Sequence, residues 1–239
     1  MTRVAAAPRR KNRTAAEPRN IPKDYWTRSQ LPLASLAFLI VPIIIYELGT
    51  RFTRQEIIAF NLLQDFFHLF GATGRSLPAM AVVGILLTWH IARNDPWRVD
   101  VKVIAFMALE SITWAIPLML IGKVLYDHLA LSGLGTSCVL SIGAGIYEEL
   151  VFRLIAFTAL HFLLRDWLKI ENAYAYLSMV LISAICFSLY HYLGPEQFHW
   201  RTFVFRAVAG IYFGGLFLWR GFGVTCGSHV VYDILVAAV

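Results

Sequence analysis

Apolar runs separated by short polar or Pro- and Gly-containing segments dominate this sequence. They lie at about residues 31–48, 77–91, 99–125, 137–164, 173–192, 203–219 and 224–239. Lipid offers the backbone no hydrogen-bonding partner, so such runs cross a membrane only as helices or as strands of a closed barrel. A spanning helix needs about 17–25 residues, and the runs have roughly this length. The sequence therefore predicts an all-α fold, a polytopic transmembrane helical bundle of about seven spans.

The composition agrees with a membrane domain. Of the 239 residues, 58% are hydrophobic and only 15% are charged, whereas soluble domains carry about 25% charged residues. Residues 53–70 mix apolar and charged side chains in a pattern typical of an amphipathic interfacial helix. We therefore expect residues 31–239 to form a single membrane-embedded helical domain.

The first 30 residues differ from the rest of the chain. They hold eight Lys and Arg residues against only Glu17 and Asp24, and they contain three prolines. This composition predicts a disordered tail. A basic tail beside a spanning helix is typical of a cytoplasmic segment held at anionic lipid, so we expect no nucleic-acid partner. The predicted location is an integral protein of the plasma (inner) membrane with a cytoplasmic N-terminus.

Two adjacent carboxylates and an arginine interrupt the fourth apolar run. Glu148, Glu149 and Arg153 stand inside the segment Gly-Ile-Tyr-Glu-Glu-Leu-Val-Phe-Arg. A charge at membrane depth costs a few kcal/mol, which makes it a candidate functional group. The i,i+4 spacing predicts a structural ion pair between Glu149 and Arg153. Adjacent residues of an α-helix point about 100° apart, so we expect Glu148 alone to face the bundle interior.

Polar residues on two later spans can complete a catalytic site. His191 ends the fifth span, and His229 and Asp233 share one face of the last. In this hypothesis, Glu148 accepts a proton from water, one histidine holds the water and the other stabilises the oxyanion. Asp233 would fix the tautomer of a histidine. The predicted span boundaries put His191 and His229 at opposite ends of their helices, so a single site requires tilted or staggered helices.

A metal centre is the alternative for the same residues. Glu148, His191 and His229 could together bind zinc. We favour a site without a cofactor, because Glu148 cannot easily be both the ligand and the base.

These motifs resemble those of a known family. Glu148, Glu149 and Arg153 match the EExxxR motif of the CPBP (CAAX protease and bacteriocin-processing, or Abi) intramembrane endopeptidases, which are related to the type II CAAX prenyl endopeptidases. Phe187 and His191 match the family's FxxxH motif, and His229 and Asp233 match the Asp form of its last motif. The resemblance covers about residues 137–239. It implies a protease, of the glutamic or metalloprotease type, that cleaves a membrane-tethered protein or peptide.

Two other function classes remain open at this point. A non-catalytic peptide-binding or immunity-type membrane protein could use the same cavity. A proton-coupled transporter could use Glu110, Glu148 and Glu149 as a relay, although Glu110 could instead pair with Arg206 or with another helix. The sequence does not predict the oligomeric state.

Overall fold

The computed structural model describes residues 24–125 and 134–238, and this part of the chain is helical, without strands. The first half contains α1 (Tyr25–Ser29), α2 (Pro32–Thr53), α3 (Ile58–Leu69), α4 (Leu77–Arg93) and α5 (Val101–Leu125). A continuous helical segment then joins α6 (Leu134–Gly143), the π-helical stretches π1 (Ala144–Glu148) and π2 (Leu150–Ile155), α7 (Ala156–His161) and π3 (Phe162–Trp167). The chain continues with α8 (Asn172–Tyr190), a 3-10 turn (His191–Leu193), α9 (Trp200–Arg220) and α10 (Phe222–Ala238).

The fold is an all-α membrane bundle, as predicted. Within the described residues, four segments are long and apolar enough to cross a membrane: Pro32–Thr53, Val101–Lys123, Asn172–Leu193 and Trp200–Arg220. The helices α4 and α10 are apolar but shorter. The outer face of α5 is apolar too, with Phe106, Leu109, Ile112, Ile116 and Leu120 all exposed. Apolar faces of this kind are stable against lipid and unstable against water.

The predicted interfacial helix is present and shorter than expected. We placed it at residues 53–70, and α3 begins at Ile58 because α2 continues to Thr53. Phe60 and Leu63 of α3 are buried, whereas Phe66 and Leu69 are 53% and 82% exposed. One face of α3 therefore packs on the bundle, and the other is free to contact the membrane surface.

Helix α10 occupies the centre of the bundle. It packs against α2, α5, α6, π1 and α9. Gly145 in π1 lies directly on the α10 backbone, where a Cβ atom would come within 2.9 Å of the Cys226 carbonyl oxygen. This close approach brings the polar residues of α10 next to the charged residues of π1 and π2.

The chain before the first span is ordered from residue 24 onward, which corrects part of the tail prediction. Asp24 accepts a hydrogen bond from the Thr27 backbone N–H and caps α1, a short helix that we had assigned to the disordered tail. Residues 1–23, which carry most of the predicted basic tail, lie outside the described residues. The side chains of α1 dock on the bundle, so its order comes from tertiary contacts that local composition does not encode.

A buried arginine explains this docking. Arg220, at the end of α9, is fully buried and binds Glu110 through Nε (2.5 Å) and Nη2 (2.8 Å). Its guanidinium also lies 3.8 Å from the Trp26 ring centroid and donates to Ser29 of α1. Of the alternatives left open for Glu110, a pair with Arg206 is excluded, because Arg206 instead forms two hydrogen bonds with Glu196.

Candidate active site

The charged motif lies in a π-helical region. Glu148 is the last residue of π1, Glu149 joins the two stretches, and Arg153 lies in π2. All three side chains are buried, with Glu148 only 5% exposed. A π-helix carries i→i+5 hydrogen bonds and is often found at functional sites. Its wider turn reduces the angle between successive side chains below the 100° that we assumed.

Glu149 and Arg153 form the ion pair that their spacing predicts. Glu149 Oε1 lies 3.1 Å from Arg153 Nη1, and both side chains are fully buried. Arg153 also donates to the Gly210 carbonyl oxygen (3.3 Å) and lies over the Phe187 ring. These contacts hold the arginine between π2, α8 and α9, where it compensates the buried carboxylate.

Both glutamates reach His229, and this corrects two expectations. Glu149 Oε1 lies 2.7 Å from His229 Nδ1, whereas Glu148 Oε2 lies 3.8 Å from His229 Nε2. The two carboxylates therefore meet opposite ends of one imidazole, although we expected them on different faces. Asp233 Oδ2 lies 3.7 Å from Nε2, so Glu149 rather than Asp233 binds Nδ1 and fixes the tautomer of His229.

Aromatic rings hold His229 in place. Its ring stacks on Phe213 at 4.5 Å between centroids and contacts the edge of Phe187 at 6.1 Å. These contacts and the Glu149 hydrogen bond leave the imidazole little rotational freedom. The Nε2 edge is thus directed at Glu148 and Asp233.

His191 lies beside the same aromatic residue. Its Nδ1 is 2.8 Å from the Phe187 carbonyl oxygen, and a carbonyl oxygen can only accept a hydrogen bond. The proton is therefore on Nδ1, which makes Nε2 the acceptor. The Phe187 ring contacts the His191 ring at 5.0 Å and the His229 ring at 6.1 Å. Phe187 thus links the two histidines that the span boundaries had placed at opposite helix ends.

Tyr190 is the residue that sequence reasoning missed. Its hydroxyl donates to Glu148 Oε1 at 2.7 Å, and the hydrogen bond is buried. The sequence held one indication of this role, which is that Tyr190 directly precedes His191. It did not distinguish Tyr190 from the many other aromatic residues of the spans.

The structure does not decide whether the site uses zinc. Among residues 24–125 and 134–238, no group of three His, Cys, Asp or Glu side chains lies close enough together to hold a metal ion as placed. His191 Nδ1 is engaged by the Phe187 carbonyl and His229 Nδ1 by Glu149, which leaves Nε2 of both rings for another partner. The predicted zinc set of Glu148, His191 and His229 stays a prediction, and we derive no step through a metal.

Comparison with known proteins supports the motif assignment. The family model described as type II CAAX prenyl endopeptidase Rce1-like matches residues 130–235. Residues 130–235 are thus similar to this family. The matched Rce1-like region contains the whole constellation, from Glu148 to Asp233, and confirms the resemblance to CAAX-type proteases. No curated protein and no solved structure matches the chain.

The match to residues 130–235 indicates a class of function. The family suggests a membrane protease of the CAAX type. The roles of the individual residues and the identity of the substrate are proposals.

Proposed function

We propose that this chain is an intramembrane endopeptidase that hydrolyses a peptide bond with water activated by Glu148. The observation that carries the proposal is the pairing of a buried carboxylate with an oriented imidazole. Glu148 Oε2 faces His229 Nε2 at 3.8 Å, a separation that leaves these two polar atoms without a direct hydrogen bond. A reacting group can bridge atoms held in this way.

The first chemical step is a proton transfer from water to Glu148. The water hydroxyl then bonds to the scissile carbonyl carbon, and the carbonyl π electrons move onto oxygen. His191 Nε2 is an acceptor, so it can hold the second water hydrogen. In its protonated form, His229 donates from Nδ1 to Glu149 and from Nε2 to the oxyanion.

The second step breaks the C–N bond. Glu148 returns its proton to the leaving nitrogen, and the tetrahedral intermediate collapses to a carboxylic acid and an amine. Glu149 and Arg153 act through His229, since they fix its ring and balance its charge. Asp233, 3.7 Å from His229 Nε2, is a second polar group at the oxyanion side.

The position of the site in an apolar bundle supports one substrate class. Apolar side chains cover the outside of the bundle, so a substrate tethered to the membrane can reach the site by lateral diffusion. We propose a membrane-tethered protein or peptide, and prenylation is not required by any contact described above. The proposed location is the plasma (inner) membrane, with a cytoplasmic N-terminus whose basic residues contact anionic lipid.

Cleavage by matched glutamate variants tests this function. The probes are a farnesylated peptide ending in a CaaX sequence and the same peptide without the farnesyl group. We expect Glu148→Gln to lower kcat by at least about 10²-fold, because a general base contributes about 10²–10⁴-fold. Glu56→Gln is the control, since Glu56 pairs with Arg75 outside the site.

The outcomes separate the competing functions. Equal cleavage by wild type and Glu148→Gln contradicts the proposal. Unchanged cleavage after treatment with a chelator supports a site without a metal, whereas loss that zinc restores identifies a metalloprotease. A non-catalytic peptide-binding protein would bind both probes without cleaving either.

The structure gives Glu110 a role outside any proton relay. Its carboxylate accepts hydrogen bonds from Tyr25, Trp114 and Arg220. A carboxylate paired in this way is poorly suited to repeated protonation. These hydrogen bonds therefore argue against a proton relay through Glu110 and against the transporter hypothesis.

A further inference from the structure

The contact between Tyr190 and Glu148 has a chemical consequence beyond burial. The Tyr190 hydroxyl donates to one specific carboxylate oxygen, Glu148 Oε1, at 2.7 Å. The other oxygen, Oε2, is the one that faces His229 Nε2. The two oxygens of the proposed base are therefore in different environments.

The Tyr190 ring is fixed by its neighbours. Its centroid lies 5.0 Å from that of Phe152 and 4.6 Å from that of His191, and the residue is 5% exposed. Its hydroxyl therefore points at Oε1 without the freedom of an exposed tyrosine. A rigid donor of this kind selects one orientation of the carboxylate.

We propose that Tyr190 is a positioning residue that makes Oε2 of Glu148 the oxygen that exchanges the catalytic proton. This inference rests on the proposed function. Oε1 accepts the Tyr190 hydrogen bond throughout, and this bond stabilises negative charge on Oε1 and makes it the weaker proton acceptor of the two oxygens. The proton released by water bonds to Oε2, on the side where His229 meets the oxyanion.

The proton balance is the same as in the proposed reaction. The water O–H bond breaks, its electron pair forms the new C–O bond, and the proton is held on Oε2. When the C–N bond breaks, the Oε2–H proton moves to the nitrogen and Oε2 becomes anionic again. Tyr190 keeps its own proton, and no further reactant is needed.

A purely structural role would have a different signature. A buried tyrosine hydroxyl requires a partner, so the hydrogen bond could serve packing alone. In that case, removing the hydroxyl would change stability and leave kcat per folded molecule unchanged. Positioning instead predicts a loss in kcat with the substrate affinity preserved.

The test compares Tyr190→Phe with Tyr192→Phe in the full-length protein. Tyr190→Phe keeps the ring contacts and removes only the hydroxyl. Tyr192 lies two residues further on, and its hydroxyl contacts Thr202 and the His199 carbonyl, away from Glu148. With the peptide probes described above, we expect Tyr190→Phe to lower kcat about 10- to 100-fold with little change in KM, as for a lost hydrogen bond to a charged group. We expect Tyr192→Phe to behave as wild type.

Infrared spectroscopy supplies a readout that does not need turnover. The carboxylate stretching band that disappears in Glu148→Gln reports the environment of Glu148. We expect this band to shift in Tyr190→Phe and to stay in place in Tyr192→Phe. An unshifted band in Tyr190→Phe overturns the inference, whether or not either peptide is a substrate.

The outcomes also distinguish this inference from the proposed function. If Glu148→Gln is inactive and Tyr190→Phe has the wild-type kcat, the positioning role is wrong and the proposed function stands. If Glu148→Gln is fully active, the proposed function itself fails. A rise in KM with an unchanged kcat in Tyr190→Phe assigns the hydroxyl to substrate binding and overturns the role proposed here.

Discussion

Adding one methyl group at Gly145 tests how closely α10 must approach the charged motif. A Cβ atom at this position would lie 2.4 Å from Val230 Cγ2, 2.7 Å from Val230 N and 2.9 Å from the Cys226 carbonyl oxygen. Carbon atoms pack best at about 3.5–4.0 Å. Rotation of the Val230 side chain can relieve the first contact. The other two involve backbone atoms, so α10 itself must move, by about 1 Å.

The expected cost of Gly145→Ala follows from two opposing effects. Overpacking a well-packed site costs about 1–3 kcal/mol, and the clash with backbone places this case in the upper half of that range. The higher helix propensity of alanine stabilises the helix by about 1 kcal/mol relative to glycine. We therefore expect a net loss of about 1–2 kcal/mol in the free energy of unfolding.

The effect on activity should exceed the effect on stability. Val230 is adjacent to His229, so the displacement of α10 also moves the imidazole relative to Glu148. A shift of about 1 Å can lower the rate about 10²-fold. We expect Gly145→Ala to fold in detergent micelles and to cleave the peptide probe about 10²-fold more slowly than wild type.

Gly215→Ala is the matched control. Gly215 is a glycine of α9, and an added Cβ atom would meet nothing within 4 Å. We expect this variant to keep full activity and to gain up to about 1 kcal/mol in stability. Free energies of unfolding come from denaturation in micelles, and rates come from the cleavage assay. If Gly145→Ala matches Gly215→Ala in both measurements, the close approach of α10 to π1 is refuted.

Two further predictions concern the buried charges. Arg220→Leu leaves the Glu110 carboxylate without its cation and should lower the free energy of unfolding by about 3–5 kcal/mol. The double variant with Glu110→Gln should recover part of this loss. An unchanged midpoint of denaturation in Arg220→Leu alone would contradict the prediction. Glu149→Gln should slow cleavage more than Asp233→Asn does, since Glu149 binds His229 Nδ1 directly at 2.7 Å. If Asp233→Asn slows cleavage more than Glu149→Gln does, Asp233 rather than Glu149 orients His229.

Local sequence was sufficient to predict the class of fold and the approximate positions of the apolar helices, although not of α1. Apolar length decides both, because the membrane allows few alternatives to a helix. The first span was drawn too short, at residues 31–48, because Glu47 and Arg51 resemble the charged edge of a span. In the structure, Glu47 accepts hydrogen bonds from Ser76 and Tyr147, so α2 continues past it to Thr53.

The candidate site was predictable as a set of residues and not as a set of contacts. The motifs identified Glu148, His191 and His229, whose catalytic roles stay predictions. The assumed 100° rotation between neighbours separated Glu148 from Glu149, and the π-helical backbone brings both to His229. Sequence spacing cannot reveal such a change of helical period, because tertiary packing against α10 accompanies it.

The ion pair between Glu110 and Arg220 also affects the order in which the protein can be assembled. Its two residues are 110 positions apart, so at a synthesis rate of about 5–20 residues per second Glu110 must wait about 5–20 s for its cation. Tyr25 precedes Glu110 in the chain and Trp114 follows it by one helical turn, and both donate to its carboxylate. Hydrogen bonds from these two neutral donors can stabilise the buried carboxylate in the nascent membrane protein until α9 is inserted.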